Sequence, residues 1–131
     1  MRSCTGLLAA LVILVSLAAP ASAHHAFAAV FDGEDAIEVT GTVVRLEWMN
    51  PHTWFYVEVE NDDGSTARWA FEMGSPNGLI RRGWSRKTLQ VGHEVKISGY
   101  RAKDGTDMAS AKTVAFADGR ELSGASSKGS N

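Results

Sequence analysis

Cysteine is nearly absent from this chain of 131 residues, and its one cysteine, Cys4, stands close to the start. One thiol cannot form an internal disulfide, and it cannot supply a zinc site that needs several thiolates. Long apolar runs are absent as well, since the longest covers residues 7–19. A transmembrane helix needs roughly 20 apolar residues, so this run is too short to cross a membrane.

An excess of positive charge is also absent. Lys and Arg number 13 against 15 Asp and Glu, for a formal net charge of −2. A nucleic-acid partner would require a basic face, so the composition argues against one. The sequence shows no Ser-His-Asp or Cys-His arrangement and no phosphate-binding loop. The chemistry must therefore be sought among its four histidines, His24, His25, His52 and His93.

The start of the chain has the features of a secretory signal. Arg2 supplies a positive charge, residues 7–19 supply the apolar segment, and residues 21–23, Ala-Ser-Ala, match a signal-peptidase cleavage site. We therefore predict a signal peptide over residues 1–23 and a periplasmic or secreted protein. After cleavage no transmembrane segment is expected, the cysteine is removed, and His24 becomes the first residue.

Five segments alternate apolar and polar residues as strands do. They cover residues 37–48, 53–60, 65–73, 93–101 and 109–118. The alternation in the first changes phase after Val43, which indicates a β-bulge or a sharply coiled strand. The stretch between the third and fourth is rich in Gly, and Ser85 is a candidate N-cap for a short helix. This order predicts an all-β fold, a small five-stranded OB-like Greek-key barrel with a helical insertion between strands 3 and 4. A small β-sandwich is the alternative.

The predicted mature chain divides into three parts. Residues 24–36 form an N-terminal arm, which we expect to be extended because Phe and Ala alternate along it. Residues 37–122 form the barrel domain. Residues 123–131 are rich in Ser and Gly and are expected to be a disordered tail. The strand patterns place four side chains in one core: Val57, Trp69, Phe71 and Val95.

Three motifs together resemble an uncharacterised family of small exported bacterial proteins. They are "HHAF" at residues 24–27, "EWMNPHTW" at residues 47–54 and "WAFEMGSPNGLIRRGW" at residues 69–84. The similarity covers nearly all of the mature chain, including "GYRAKDG" and "ADGREL". Because the function of that family is undefined, the resemblance implies little about activity.

The histidines at the predicted mature start suit a metal ion. The α-amine and Nδ1 of His24 can close a six-membered chelate, or the amine, the deprotonated amide and the imidazole of His25 can bind together. Both modes place nitrogen ligands in a plane, which Cu(II) favours. His52, in the "NPH" loop between strands 1 and 2, lies on the usual ligand face of an OB barrel, and an extended arm would reach it. We therefore predict a copper ion at His24, His25 and His52. A disordered end and a loop histidine bonded to backbone are the alternatives.

Aromatic side chains offer a second kind of site. Trp54 and Tyr56 alternate with core residues and are expected on the opposite face, where Trp48 would complete a stacking platform for a small flat ligand. The alternative is that the N-terminal arm or the loop at residues 74–83 covers them. A basic cluster could bind an anionic lipid head or a protein partner, or form a solvated face; its members are Arg81, Arg82, Arg86 and Lys87.

These observations predict an exported, non-catalytic binding protein with copper as its preferred ligand. The alternative is an OB-like module that binds a small organic molecule or a protein partner through Trp48, Trp54 and Tyr56. An enzyme ranks third, because a copper site could perform redox chemistry but no substrate cleft can be identified. Glu47 and Glu72 could act as an acid–base pair, yet nothing in their spacing brings them together.

Overall fold

Residues 21–125 are described by the structure, a computed structural model, with side chains from residue 26 onward. These residues form two helices and six strands, and the fold is mostly β. In chain order the elements are α1 (Ala21–Val30), β1 (Phe31–Glu47), β2 (Trp54–Glu60), β3 (Thr66–Glu72), α2 (Pro76–Ile80), β4 (Glu94–Ala102), β5 (Met108–Phe116) and β6 (Glu121–Ser123). Within this part of the chain, neither helix is long and apolar enough to cross a membrane.

All six strands belong to one sheet with the order β3-β2-β1-β4-β5-β6. Neighbours in this order are antiparallel. One further pairing is parallel and joins β3 to β5, with Phe71 beside Ala109 and Glu72 beside Ser110. This contact brings the end of β3 next to a strand that lies far from it in the sheet order.

Strand β1 is long and bulged, and its first part pairs with β4 while its last part pairs with β2. The register with β2 shifts between Val43 and Arg45, which makes Val44 the extra residue of a bulge. The predicted change of phase after Val43 is therefore confirmed. Gly41 lies just before it, where a Cβ would stand 2.5 Å from the carbonyl oxygen of Glu58. Only glycine allows the two backbones to approach so closely.

The predicted core is confirmed. Phe71 and Val57 have no exposed surface, Val95 is 2 % exposed, and Trp69 packs against this cluster while remaining half-buried. Phe55 stacks on Phe71 with ring centroids 5.2 Å apart. Alternate residues of the strands therefore bury one face of the sheet, and the other face is left for a functional site.

The prediction of an extended arm over residues 24–36 is wrong. Residues 21–30 are helical in α1, and β1 already begins at Phe31. Five of the ten residues of α1 are alanine, the strongest helix former, and this preference outweighs the short alternation of Phe and Ala. Phe27 packs edge-on against Tyr100, with ring centroids 6.1 Å apart, so α1 is held on the sheet.

The helical insertion lies between the third and fourth strands, as predicted, but it begins ten residues earlier than expected. Ser75, not Ser85, is the N-cap of α2, and its Oγ accepts a hydrogen bond from the amide of Gly78 at 3.2 Å. Ser85 instead opens a turn in which its carbonyl accepts from the amide of Thr88 at 3.1 Å. Both serines have capping chemistry, and Pro76 at the first helical position favours the earlier one.

The predicted tail begins too early at residue 123, because Ser123 closes the unpredicted strand β6. Gly124 donates its amide to the carbonyl of Lys112 at 3.0 Å and accepts from the amide of Gly74 at 2.9 Å. Ala125 is 8 % exposed and so belongs to the packed domain. The remaining tail residues, 126–131, and residues 1–20 of the predicted signal peptide lie outside the described residues.

Candidate functional site

The loop between β1 and β2 is held against the end of β3 by backbone hydrogen bonds. The amide of Thr53 donates to the carbonyl of Gly74 at 3.1 Å, and the amide of Met73 donates to the carbonyl of Thr53 at 2.8 Å. These bonds continue the antiparallel pairing of β2 and β3 by one more step. As a result, His52 lies beside Glu72 and the backbone of Met73.

One ring nitrogen of His52 is engaged by two oxygen atoms. Its Nδ1 lies 3.0 Å from Oε1 of Glu72 and 3.2 Å from the carbonyl oxygen of Met73. A backbone carbonyl and an ionised carboxylate both accept hydrogen bonds, so these neighbours assign the ring proton to Nδ1. Nε2 then holds the free lone pair. The side chain of His52 is 41 % exposed, so a ligand can approach it from solvent.

Glu72 is the less exposed partner, with 22 % of its side chain accessible. Burial raises the pKa of Glu72 above its ordinary value, and the imidazole of His52 partly opposes that rise. The cause is desolvation, because burial removes the water that stabilises the ionised carboxylate, and a positive group nearby offsets part of that loss. A cation bound to His52 would supply such a group and would favour the ionised carboxylate.

Glu72 belongs to a row of residues that crosses five strands on the outer face of the sheet. Glu47 pairs with Trp54, Trp54 with Glu72, Glu72 with Ser110, and Ser110 with Tyr100. Residues paired in register point to the same face, and all five of these are half-buried. Adjacent strands lie about 4.8 Å apart, so the backbones of Glu72 and Tyr100 are about 10 Å apart.

Helix α1 meets this row at Tyr100 through the edge-on contact of Phe27. The C-terminal end of α1 is also fixed, because the amide of Lys103 donates to the carbonyl of Val30 at 2.9 Å. His24 and His25 belong to the same helix, three and two residues before Phe27. Their side chains lie outside the described residues.

The three aromatic residues predicted as a stacking platform do not share one face. Trp48 packs against the buried core, whereas Trp54 and Tyr56 are half-buried on the outer face of β2. The guanidinium of Arg45 lies 5.4 Å from the centre of the Tyr56 ring, within cation–π distance. The structure therefore keeps two members of the predicted platform together and separates Trp48 from them.

Two open depressions, of about 300 and 240 Å³, lie on the outer face of β1, β4 and β5. Neither is lined by a predicted site residue. Among the described side chains, no three His, Cys, Asp or Glu residues are close enough to hold a metal ion. Within that part of the chain, His52 and Glu72 form a pair of side chains that can each bind a metal ion, with 3.0 Å between Nδ1 and Oε1.

Sequence reasoning found His52 but missed its partner. The sequence identifies Glu72 only as a possible acid–base partner of Glu47, and no sequence pattern singles out Ser110 or Tyr100. The available signal was positional, because Glu72 is the last outward-facing residue of the predicted third strand and His52 precedes the second strand. Two strands joined by a hairpin bring these ends together, so the hairpin turn at residues 61–64 contains the necessary information.

No curated protein matches the chain. A family model does match it, over residues 10–111, and this range includes all the predicted site residues. The match covers well over half of the chain and confirms the resemblance to an uncharacterised family. The chain therefore belongs to DUF6152, a family of unknown function.

Proposed function

We propose that this protein is exported to the periplasm and binds a copper ion through His24, His25 and His52. The observation that carries the proposal is the hydrogen bonding of His52, whose Nδ1 faces Glu72 and the carbonyl of Met73. Histidines that bind metals typically donate the N–H of one ring nitrogen to a carboxylate or a carbonyl and ligate through the other. No described residue forms a hydrogen bond with the Nε2 atom of His52, which is available for that role.

An OB-like barrel supplies the framework of this proposal. In a five-stranded barrel of this type each strand pairs with two others. The order β3-β2-β1-β4-β5, together with the parallel contact between β3 and β5, supports this arrangement. Strand β6 then extends the sheet beyond β5. The loop between the first two strands of an OB barrel commonly contributes to ligand binding, and His52 belongs to that loop.

The contacts of α1 support an approach of the mature N-terminus to His52. Phe27 lies against Tyr100, and Tyr100 stands two strands from Glu72. His24 precedes Phe27 by three residues, or about 4.5 Å along a helix. An extended arm is therefore not needed to bring His24 towards His52, because Tyr100, Ser110 and Glu72 are paired in register across neighbouring strands and Glu72 contacts His52.

Copper would be held by nitrogen ligands in this arrangement. After cleavage, His24 would contribute its amine and Nδ1, or the amine would bind together with the amide and imidazole of His25. The Nε2 atom of His52 would add a further nitrogen. We assign the protein a binding role, since nitrogen ligands of this kind suit Cu(II) and the proposal includes no substrate site.

Processing of the N-terminus provides the first test. Titration of the processed protein with Cu(II), followed by the spectroscopic signature of its nitrogen ligands, should reveal tight binding. A protein with one extra residue before His24 should bind more weakly, because its amine can no longer chelate together with the His24 imidazole. Equal affinity in the two proteins would reject a site at the mature start.

His52 provides the second test, with His93 as a matched control. His52→Ala should lower copper affinity at least about tenfold without abolishing binding, because the N-terminal chelate remains. His93 is half-buried, and its ring packs edge-on against Phe116 with centroids 6.2 Å apart. His93→Ala should therefore leave copper affinity unchanged. An unchanged affinity in His52→Ala would mean that copper binds only at the N-terminal chelate and that the sheet contributes no ligand.

The second candidate function is binding of a small organic molecule at Trp54 and Tyr56. The observation that favours it is their shared position on the outer face of β2, with the guanidinium of Arg45 over the Tyr56 ring. Under this function, Trp54→Ala should abolish binding of a flat ligand while His52→Ala only weakens it. Under the copper function the order reverses, so one calorimetric series with both variants separates the two.

A further inference from the structure

Residues 74–93, in the connection between β3 and β4, carry only positive charges. They include four cations and no Asp or Glu; the cations are Arg81, Arg82, Arg86 and Lys87. Elsewhere in the described part of the chain, five of the seven basic residues are paired with carboxylates: Arg45, Arg68, Lys96, Arg101 and Arg120. None of the four cations of the connection forms an ion pair with a described carboxylate. They keep their full charge available in a protein whose net charge is −2.

Buried anchors hold this connection in place. Leu79, Trp84 and Leu89 have between 0 and 3 % of their surfaces exposed and belong to the core. The indole Nε1 of Trp84 donates a hydrogen bond to the carbonyl of Ser123 at 2.8 Å. The cations lie between these anchors, so a packed backbone presents Arg81, Arg86 and Lys87 at the surface, with Arg82 half-buried beside them. Little backbone freedom is therefore lost when they bind a partner.

Exposed apolar side chains flank the cations. In the described part of the chain, four large apolar residues are exposed, and two of them, Ile80 and Val91, lie in this connection with 55 and 66 % of their surfaces accessible. Ile80 directly precedes Arg81 at the end of α2. Cations that contact phosphates beside apolar side chains that enter the acyl boundary are characteristic of surfaces that bind membranes peripherally.

We propose that the connection at residues 74–93 docks this protein on an anionic phospholipid surface. A bilayer presents a continuous anionic plane, so the four cations can contact it wherever they lie. An acidic protein would need a carboxylate at a fixed position opposite each cation. An acidic protein would also attract the charges, but the exposed Ile80 and Val91 match the lipid better, because a bilayer accepts apolar side chains of any shape. The proposal is independent of copper binding and would keep the protein close to the membrane surface.

The test is co-sedimentation of the processed protein with lipid vesicles. Binding to vesicles that contain phosphatidylglycerol should greatly exceed binding to vesicles of phosphatidylcholine alone. It should be largely lost at about 1 M salt, where the Debye length is about 3 Å. Each cation near an anionic surface raises the partition coefficient about fivefold, so Arg86→Gln should lower it about fivefold and the double variant Arg81→Gln/Arg86→Gln about 25-fold.

Arg68→Gln is the matched control, since it removes one positive charge from an exposed side chain at the opposite end of β3. It should leave the partition coefficient unchanged. Equal losses in Arg68→Gln and Arg86→Gln would overturn the proposal, because net charge alone would then explain the binding. Equal binding to both lipid compositions would overturn it as well. So would binding to polyglutamate without binding to vesicles, which would identify an acidic protein as the partner.

Discussion

At the scale of single residues, the carboxylate of Glu72 decides how His52 presents its ring. Its Oε1 lies 3.0 Å from Nδ1 of His52, so the ionised carboxylate favours the proton on that nitrogen and leaves the lone pair of Nε2 for a ligand. Glu72→Gln keeps the shape of the side chain and removes the charge. Copper affinity should fall about 10- to 100-fold, the usual effect of losing a partner of this kind. Titration against a competing chelator measures it.

The control for this experiment lies in the same row of residues. Glu47 is on the other side of Trp54, is equally half-buried, and forms an ion pair with Arg45. Glu47→Gln removes the same charge without touching His52 and should leave copper affinity unchanged. If both variants lost affinity equally, the negative charge of the row as a whole would explain the effect. The proposal that Glu72 positions His52 would then be wrong.

At the scale of elements, the turn between β2 and β3 sets which residues of the two strands meet. Asp63 accepts hydrogen bonds from both the amide and the hydroxyl of Ser65, and these bonds lower the pKa of Asp63 below its ordinary value. A lowered pKa means that the ionised carboxylate stabilises the folded state above the pKa of the unfolded chain, about 3.9, and that this stabilisation is lost as the pH falls through the folded value.

Asp63→Asn should therefore lower the free energy of unfolding at neutral pH, and the difference from the natural protein should shrink as the pH falls below about 4. Urea unfolding at a series of pH values measures this difference. Asp62→Asn is the control, because it removes the same charge from the neighbouring turn residue. A difference for Asp63→Asn that persisted at low pH would mean that the hydrogen bonds of the turn do not depend on the charge.

At the scale of the whole molecule, the buried face of the sheet holds the elements together. Phe71 has no exposed surface and stacks on both Phe55 and Trp69, with ring centroids 5.2 and 6.0 Å away. Phe71→Ala should lower the free energy of unfolding by about 3–5 kcal/mol, because it removes buried apolar surface and leaves a cavity. This loss is a large share of the stability of a small domain.

Ile80→Ala is the comparison for the core variant, since Ile80 is apolar but 55 % exposed. Its unfolding free energy should stay within about 0.5 kcal/mol of the natural protein, as for other surface changes. Chemical denaturation followed by tryptophan fluorescence measures both variants. Similar losses at the two positions would show that burial does not govern stability here.

Local sequence patterns predicted the parts of the fold that depend on neighbours along the chain. Alternation located five strands and the bulge after Val43. Three local predictions are wrong, and in the first two a second local signal competed with the one chosen. Alanine content outweighed alternation in α1, Ser75 outweighed Ser85 as a cap, and Ser123 was assigned to a tail by composition alone.

The sequence by itself determined that this protein is mostly β, which side chains form its core, and that its histidines stand at the predicted mature start and in the first strand connection. Only the tertiary structure decided that His52 meets Glu72 and that α1 contacts the same row of residues through Phe27 and Tyr100. The physical reason is that side-chain alternation has a period of two and repeats along every strand, so it assigns a residue to a face of the sheet. It does not specify which residues of distant strands lie side by side, because that depends on pairing registers such as the parallel contact of β3 with β5.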